Sequence, residues 1–293
     1  MKKIIIFLFL TFYFSSFSQS KKLFFALETD NAVEKKFIKE NKISSLTILY
    51  QGEFVSQDTL NEKLLVKSIN SKFPDKNSKE YAVLDWEGKQ YDALFKDDEN
   101  ASNIALNIFV KAVKIAKKER PNMKWSFYGI PDREFWAPGY LWEQKNLKLS
   151  ELFKNLDFIA PSVYLFYTQD EIKSYLTENY ITRNVGLAIK IGKKYNKEVY
   201  PFIWHRFHPS NQNYGMALIP TDFFSAYIKN IYATKIEGNS INGIIWWHAE
   251  SYFSKNMKDQ PRLQKEYKGA KDYESYNYNN FKKYLKLIKP YFK

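Results

Sequence analysis

The 293-residue chain contains no cysteine, which excludes disulfides and a lipid-attachment thiol. Past its first twenty residues, no apolar run approaches the length of a membrane span. No Gly-rich phosphate loop follows the first strand-like run, which weighs against dinucleotide binding. There is no internal repeat, no linker-like stretch and no concentrated Arg-rich tract. The last absence, taken with the export signal described next, argues against nucleic acid as a partner.

What is present is globular material, 45% hydrophobic and 26% charged, enough for one large α/β domain or two small ones. Aromatics reach 18%, with 24 Phe, 22 Tyr and 7 Trp. Part of that must be core, yet Tyr and Trp also stack on sugar rings, having an apolar face and a polar edge. Lys2 and Lys3, the apolar stretch from Ile4 to Phe14 and the small residues of Ser16-Phe17-Ser18 read as a secretory signal over residues 1–18. Residues 19–293 are then a single domain. Export without cysteine fits a periplasmic or secreted bacterial protein. The formal charge of +13 falls to +11 once Lys2 and Lys3 leave with the signal. Such an excess favours a polyanionic partner, anionic lipid or acidic polysaccharide; a Lys-rich proteome gives the same excess with no partner implied.

The chain alternates strand-like and helix-like runs. The strand candidates are Leu23–Leu27, Leu46–Tyr50, Tyr81–Trp86, Trp125–Gly129, Phe158–Phe166, Val199–Trp204 and Gly243–Trp247. The clearest helix carries Ile104, Ile108, Val110, Val113, Ile115 and Ala116, with Ser102 expected as its N-cap and Pro121 as its stop. Thr221 or Asp222 is expected to cap another. Ser254 to Lys271 reads as an exposed polar excursion before a final helix from about Asn279 to Lys289. Seven βα-type units without linkers favour an α/β fold, a distorted TIM-like (β/α) barrel of seven parallel strands with a C-terminal helix, over an open sheet.

In parallel barrels the chemistry sits at the C-terminal ends of the strands. Asp85 and Glu87 occupy that end of the third strand, Asp132 follows the fourth, and Tyr164 lies on the fifth. His205 and Phe207 fall on the sixth, Trp247 and His248 on the seventh. A strand puts positions i and i+2 on one face, roughly 7 Å apart along the chain. Two acids so placed, in different environments, can divide the work of glycosidic bond cleavage; a salt-bridged pair at a strand end is the structural alternative. By themselves Trp247 and Tyr164 read as core, and Tyr50, Tyr128 and Asp132 equally as structural residues. The three histidines, His205, His208 and His248, all fall at this end. Three imidazoles can bind zinc, but no ligand spacing on a helix accompanies them. Glycan contacts or a local pKa role fit better, and no metal or cofactor is expected.

Several segments together resemble the hyaluronidases of glycoside hydrolase family 56, in order from roughly residue 46 to 250. Leu46-Thr47-Ile48-Leu49-Tyr50 is similar to the family's second-strand segment, which ends in a substrate-contacting Tyr. Leu84-Asp85-Trp86-Glu87 is similar to its catalytic Asp-Trp-Glu. Arg120-Pro121 and the run from Trp125 to Asp132 resemble its Arg-Pro and Trp-Gly-Tyr-Tyr-x-x-Pro-Asp. Ala160-Pro161-Ser162-Val163-Tyr164 resembles Tyr-Pro-Ser-Ile-Tyr, and Gly243-Ile244-Ile245-Trp246-Trp247 resembles Gly-Ile-Val-x-Trp.

The resemblance implies a retaining, substrate-assisted cleavage of β-linked N-acetylhexosamine bonds. Glu87 would protonate the leaving oxygen, and the substrate's own acetamido carbonyl would attack the anomeric carbon. Asp85 would hold the acetamido N–H, Tyr164 its oxygen, and Trp247 would floor the pocket. Tyr50, Tyr128, Asp132, His205 and Phe207 would contact substrate. A second carboxylate beside Glu87 is expected to raise its pKa and keep it a proton donor. The chain departs from the family at Gly88-Lys89-Gln90, where Glu-x-Trp-Arg-Pro is replaced, and at Phe207, where a Tyr loses its hydroxyl and His205 is the expected substitute. The expected partner is an acidic polysaccharide, hyaluronan or chondroitin-like, met by a monomer with no integral membrane segment. A neutral N-acetylglucosamine polymer, or a barrel that binds acidic glycans without cleaving them, are the alternatives.

Overall fold

The computed structural model describes residues 21–27, 31–255 and 261–292. The signal-like segment lies outside the described residues. Strands and helices alternate from β1 (Lys22–Leu27), α1 (Ala32–Asn41) and β2 (Ser44–Tyr50) through a short hairpin, β3 (Val55–Ser56) and β4 (Thr59–Leu60), to α2 (Glu62–Lys72). Next come β5 (Tyr81–Asp85), α3 (Lys89–Leu94), α4 (Glu99–Glu119), β6 (Lys124–Phe127), α5 (Tyr140–Leu147), α6 (Ser150–Asn155) and β7 (Phe158–Ile159). The chain continues through α7 (Ser174–Tyr195), β8 (Glu198–Val199), β9 (Phe202–Ile203), α8 (Thr221–Ala233) and β10 (Gly243–Trp246). Three helices finish it: α9 (Glu250–Lys255), α10 (Pro261–Tyr267) and α11 (Tyr273–Ile288).

Six strands form one parallel sheet in the order β6-β5-β2-β1-β10-β9, and β7 pairs in parallel with β8. Main-chain bonds join these into a curled wall. Asp157 N donates to Trp125 O (2.9 Å) and Gly129 N to Ala160 O (2.9 Å), linking β6 to β7. Tyr200 N donates to Ile159 O and Phe202 N to Pro161 O, while Ile245 N bonds Pro201 O. Residues 198–203 are therefore one strand broken at Pro201, a residue with no N–H to give. Counted this way the wall has seven parallel strands, each at its expected place. Gly243 opens β10 where it meets β1: its φ is +156°, and a Cβ there would lie 1.9 Å from Lys22 O. Only glycine fits so close an approach.

Two apolar layers hold the wall. Inside are Phe24, Ala26, Leu46, Ile48, Val83, Phe158, Ala160, Phe202 and Ile245. Outside, Leu49, Leu84, Trp125, Phe127, Ile203, Ile244 and Trp246 pack against the helices. At the N-terminal end of the barrel Lys22 Nζ reaches Tyr81 OH (3.0 Å) and Glu198 (3.4 Å), and Tyr81 OH donates to the same carboxylate (3.1 Å). Among the described residues no helix is long and apolar enough to cross a membrane.

Three helix ends differ from expectation. Helix α4 starts at Glu99 because the Asp98 carboxylate accepts from Asn100 N and Ala101 N, while Ser102 Oγ donates instead to Leu94 O. Pro220, not Thr221 or Asp222, is the N-cap of α8. The last helix begins at Tyr273, capped by Asp272, several residues earlier than its apolar pattern shows. Part of the expected polar excursion is helix α10, anchored by buried Leu263 and Tyr267.

Candidate active site

Strict alternation along the strands decides which side chains reach the mouth. On β5, Tyr81 and Val83 face inward, so Asp85 does too, while Leu84 and Trp86 face the helices. Trp86 is buried, stacked on Phe109 at 5.0 Å and edge-on to Phe54 at 5.6 Å. That anchor holds Asp85 and Glu87 on its two sides. Asp85 is half-buried and Glu87 exposed. The same parity brings Tyr50 from β2, Tyr128 after β6, Tyr164 after β7, Trp204 after β9 and Trp247 after β10 onto the inner layer.

These side chains touch one another. Trp247 Nε1 donates to Tyr50 OH (3.3 Å), and Trp247 lies 4.7 Å from Trp204 and 5.8 Å from Tyr164. Tyr128 sits 6.1 Å from Tyr164 and donates to Ser162 Oγ at 3.2 Å. Arg133 Nη1 donates to the same Oγ at 2.6 Å, and Nη2 lies 3.3 Å from His208 Nε2. His208 Nδ1 lies 2.7 Å from Ser210 Oγ and accepts from Ser210 N at 3.2 Å. A cavity of about 380 Å³ opens on the Glu87 side, lined by Gln51, Gly52, Gln57, Trp86, Gly88 and Gln90.

Within the acid pair the resolved shift is on Asp85. Burial, and then the neighbouring Glu87 charge, push the Asp85 carboxyl up to about 8. Asp85 holds its proton because burial has taken its water, which penalises the charged form. Asp85 Oδ1 is buried with no hydrogen-bond partner, and so is Trp204 Nε1. The Asp85 charge, when present, is felt at Tyr128 and Tyr164, whose hydroxyls are raised first by burial.

Three expected residues lie elsewhere. His205 is fully buried on the outer side of the wall, accepting from Trp246 Nε1 at Nδ1 (3.0 Å) with Nε2 2.9 Å from Glu250. Phe207, two residues on, shares that outward face and packs toward Phe223 and Tyr214. The two do share a face, as expected, but it is the helix-facing one. Asp132 is committed to its loop: its Oδ1 accepts from Tyr91 OH (2.8 Å), its N–H donates to Asn146 and its carbonyl accepts from Trp142. His248 is also behind the wall, stacked on Phe25 at 4.4 Å; burial pushes its imidazole down to about 4. Among the described residues no group of three His, Cys, Asp or Glu could hold a metal ion.

Trp204, Arg133 and Ser162 are cleft residues that the sequence reading passed over. Trp204 ends a predicted strand, and its parity with Phe202 is the signal that would have found it. Ser162 lies within a segment already quoted and Arg133 directly after another, and neither carries a pattern of its own.

No family model matches the sequence. The chain is 26% identical over 180 residues to inactive hyaluronidase B of Vespula vulgaris, covering 58% of this chain and 48% of that protein. It is 25% identical over 264 residues to hyaluronidase Tab y 2.0101 of Tabanus yao, covering 76% of this chain and 72% of that one. The chain thus spans about half the length of the first relative. Among solved structures, bee venom hyaluronidase superposes with a TM-score of 0.61 at 18% identity, over 84% of this chain and 96% of that one. Its complex with a hyaluronic acid tetramer gives 0.58 at 19% identity, over 84% and 95%. The chain is thus similar to hyaluronidases at low identity and has a hyaluronidase-like barrel fold.

Proposed function

We propose that the protein is an exported glycoside hydrolase, periplasmic or secreted, that cleaves β-linked N-acetylhexosamine bonds in an acidic glycosaminoglycan with retention. The observation that carries this reading is Asp85: a carboxyl that holds its proton to about pH 8, with a bare inner oxygen, beside solvent-facing Glu87 in an aromatic-walled mouth. A bound sugar's acetamido N–H would supply the missing partner of Asp85 Oδ1. Hydrogen bonding to a carboxylate favours its charged form, so the proton that Asp85 keeps in the empty cleft becomes available to Glu87.

Glu87 then gives that proton to the departing oxygen while the acetamido carbonyl closes on the anomeric carbon. The resulting oxazolinium charge lies against ionised Asp85, a preorganised counter-charge. Water attacks the same carbon, its proton returns to Glu87, and the acetamido group is restored. Tyr164 would bond the acetamido oxygen, with Trp247 and Trp204 as flat walls, and Tyr50 OH accepts from Trp247 Nε1. That the bee venom protein has been solved with a hyaluronic acid tetramer supports a polysaccharide for this cleft.

The test is the release of new reducing ends from hyaluronan and chondroitin by the purified protein, with the anomeric proton followed by NMR. Retention is expected. Inversion would mean that water attacks directly and would remove the acetamido group from the mechanism. Saturable binding without new reducing ends would return the protein to glycan capture.

A further inference from the structure

The buried or half-buried arginines of this molecule are provided for in different ways. Arg206 is fully buried and takes two carboxylates, Glu250 at 2.7 Å from Nε and Glu266 at 2.7 Å from both Nη1 and Nη2. Arg120, also buried, donates to main-chain carbonyls, Phe73 O at 2.6 Å and Glu119 O at 2.7 Å. Arg133 has neither arrangement. It is half-buried in the mouth, and its guanidinium meets only neutral groups: Ser162 Oγ, Tyr128 OH at 3.4 Å and the His208 imidazole. Among the described residues no carboxylate lies within ion-pairing distance of it. Its plane rests 5.1 Å from the Phe166 ring and 6.0 Å from the Tyr164 ring, which fixes the fork without neutralising it.

A cation left without a counter-charge in a partly dehydrated site costs stability. Of the nearby acids, Asp132 feels the Arg133 charge but forms no ion pair with it. Asp132 is held by Tyr91, and Asp85 keeps its proton at neutral pH. A guanidinium with donors still open, beside the residue that would hold the acetamido group, is matched by a planar anion that accepts two parallel hydrogen bonds. We propose that Arg133 is the specificity-determining residue of the cleft, pairing with the carboxylate of a uronic acid unit next to the N-acetylhexosamine. This rests on the glycan-cleaving reading above and names the residue that would select the acidic polymer in it.

The experiment uses protein carrying Glu87→Gln, so that nothing is turned over, and measures calorimetric binding of a hyaluronan hexasaccharide and of the same oligosaccharide with its carboxyls reduced to alcohols. The native sugar should bind about 10- to 100-fold more tightly, the usual worth of a charge-assisted bond. Adding Arg133→Gln should remove that preference while leaving affinity for the reduced sugar unchanged. Adding Arg133→Lys, which keeps charge and loses the fork, should restore part of it and separates recognition from damage to the fold. Three results overturn the proposal: a preference that survives Arg133→Gln, an equal loss for both sugars, which would make Arg133 a brace for Tyr128 and Ser162, and equal binding of both sugars by the starting protein. Binding of neither sugar is a different failure, because it removes the glycan reading itself.

Discussion

At the scale of single residues, the site turns on two neighbouring acids that solvent treats differently. Glu87→Gln keeps shape and hydrogen bonding but has no proton to give, and general acid catalysis is worth about 10²–10⁴-fold. Turnover should fall by that factor with sugar affinity largely kept; near-normal rates would end the acid assignment. Asp85→Asn makes a separate prediction about stability. The folded protein holds a proton on Asp85 up to about pH 8, whereas the unfolded chain releases it near the ordinary value of 3.8. Between those limits the native state binds more protons, so this group lowers stability as pH rises, by at most about 1.4 kcal/mol per pH unit. Urea melts should show the Asn variant little changed near pH 4 and increasingly more stable than the parent toward pH 8. Equal stability across that range would mean that Asp85 ionises freely in the folded protein.

At the scale of elements, all seven strands were legible, because short apolar runs such as Leu46–Tyr50 and Gly243–Trp247 stand between helix patterns and turn residues. Which way each strand faces was less legible. A strand buried on both sides is apolar on both sides, so Phe202, Ile203, Trp204, His205 and Phe207 carry no polar alternation to set their parity. The sixth strand was therefore read one residue out of phase, putting His205 and Phe207 where Trp204 stands. On β5 the error did not arise, since Asp85 and Glu87 themselves mark the wet side. Caps misled in a similar way: Ser102 and Asp98 both suit a helix start, and only the route of the chain from α3 selects Asp98.

The outward face of that sixth strand has its own prediction. Glu250 is fully buried; against the pull of burial, the charges of His205 and Arg206 hold its carboxyl well below the usual range. Glu250→Gln leaves Arg206 with Glu266 alone, and breaking a buried pair costs about 3–5 kcal/mol. The midpoint of denaturation should drop accordingly at neutral pH. A change under 1 kcal/mol would show that Glu266 suffices.

For the whole molecule, the charge of +13 on the sequence remains the broadest feature. If it serves recognition, KM for a uronate polymer should climb steeply with salt, since the screening length shrinks from about 10 Å at 0.1 M to about 3 Å at 1 M. A neutral N-acetylglucosamine oligomer should show little change, and kcat should move least, its chemistry being local to Asp85 and Glu87. Equal salt sensitivity for both sugars would make the charge a compositional bias and leave Arg133 as the cleft's whole preference.

The first strand of the wall is hydrogen-bonded to the last, Lys22 opposite Gly243 and Phe25 opposite Trp246. Nearly the entire chain must therefore be available before the ring can shut. Contacts so distant in sequence form late, because the entropy of bringing them together is spent before any return. The cleft inherits that timing, as Tyr50 meets Trp247 only across the final seam. During synthesis the chain stays open until its last strand emerges, and for a polypeptide that we propose is exported, delay is useful. A barrel that cannot close early remains threadable, and no glycan can be gripped until it has arrived.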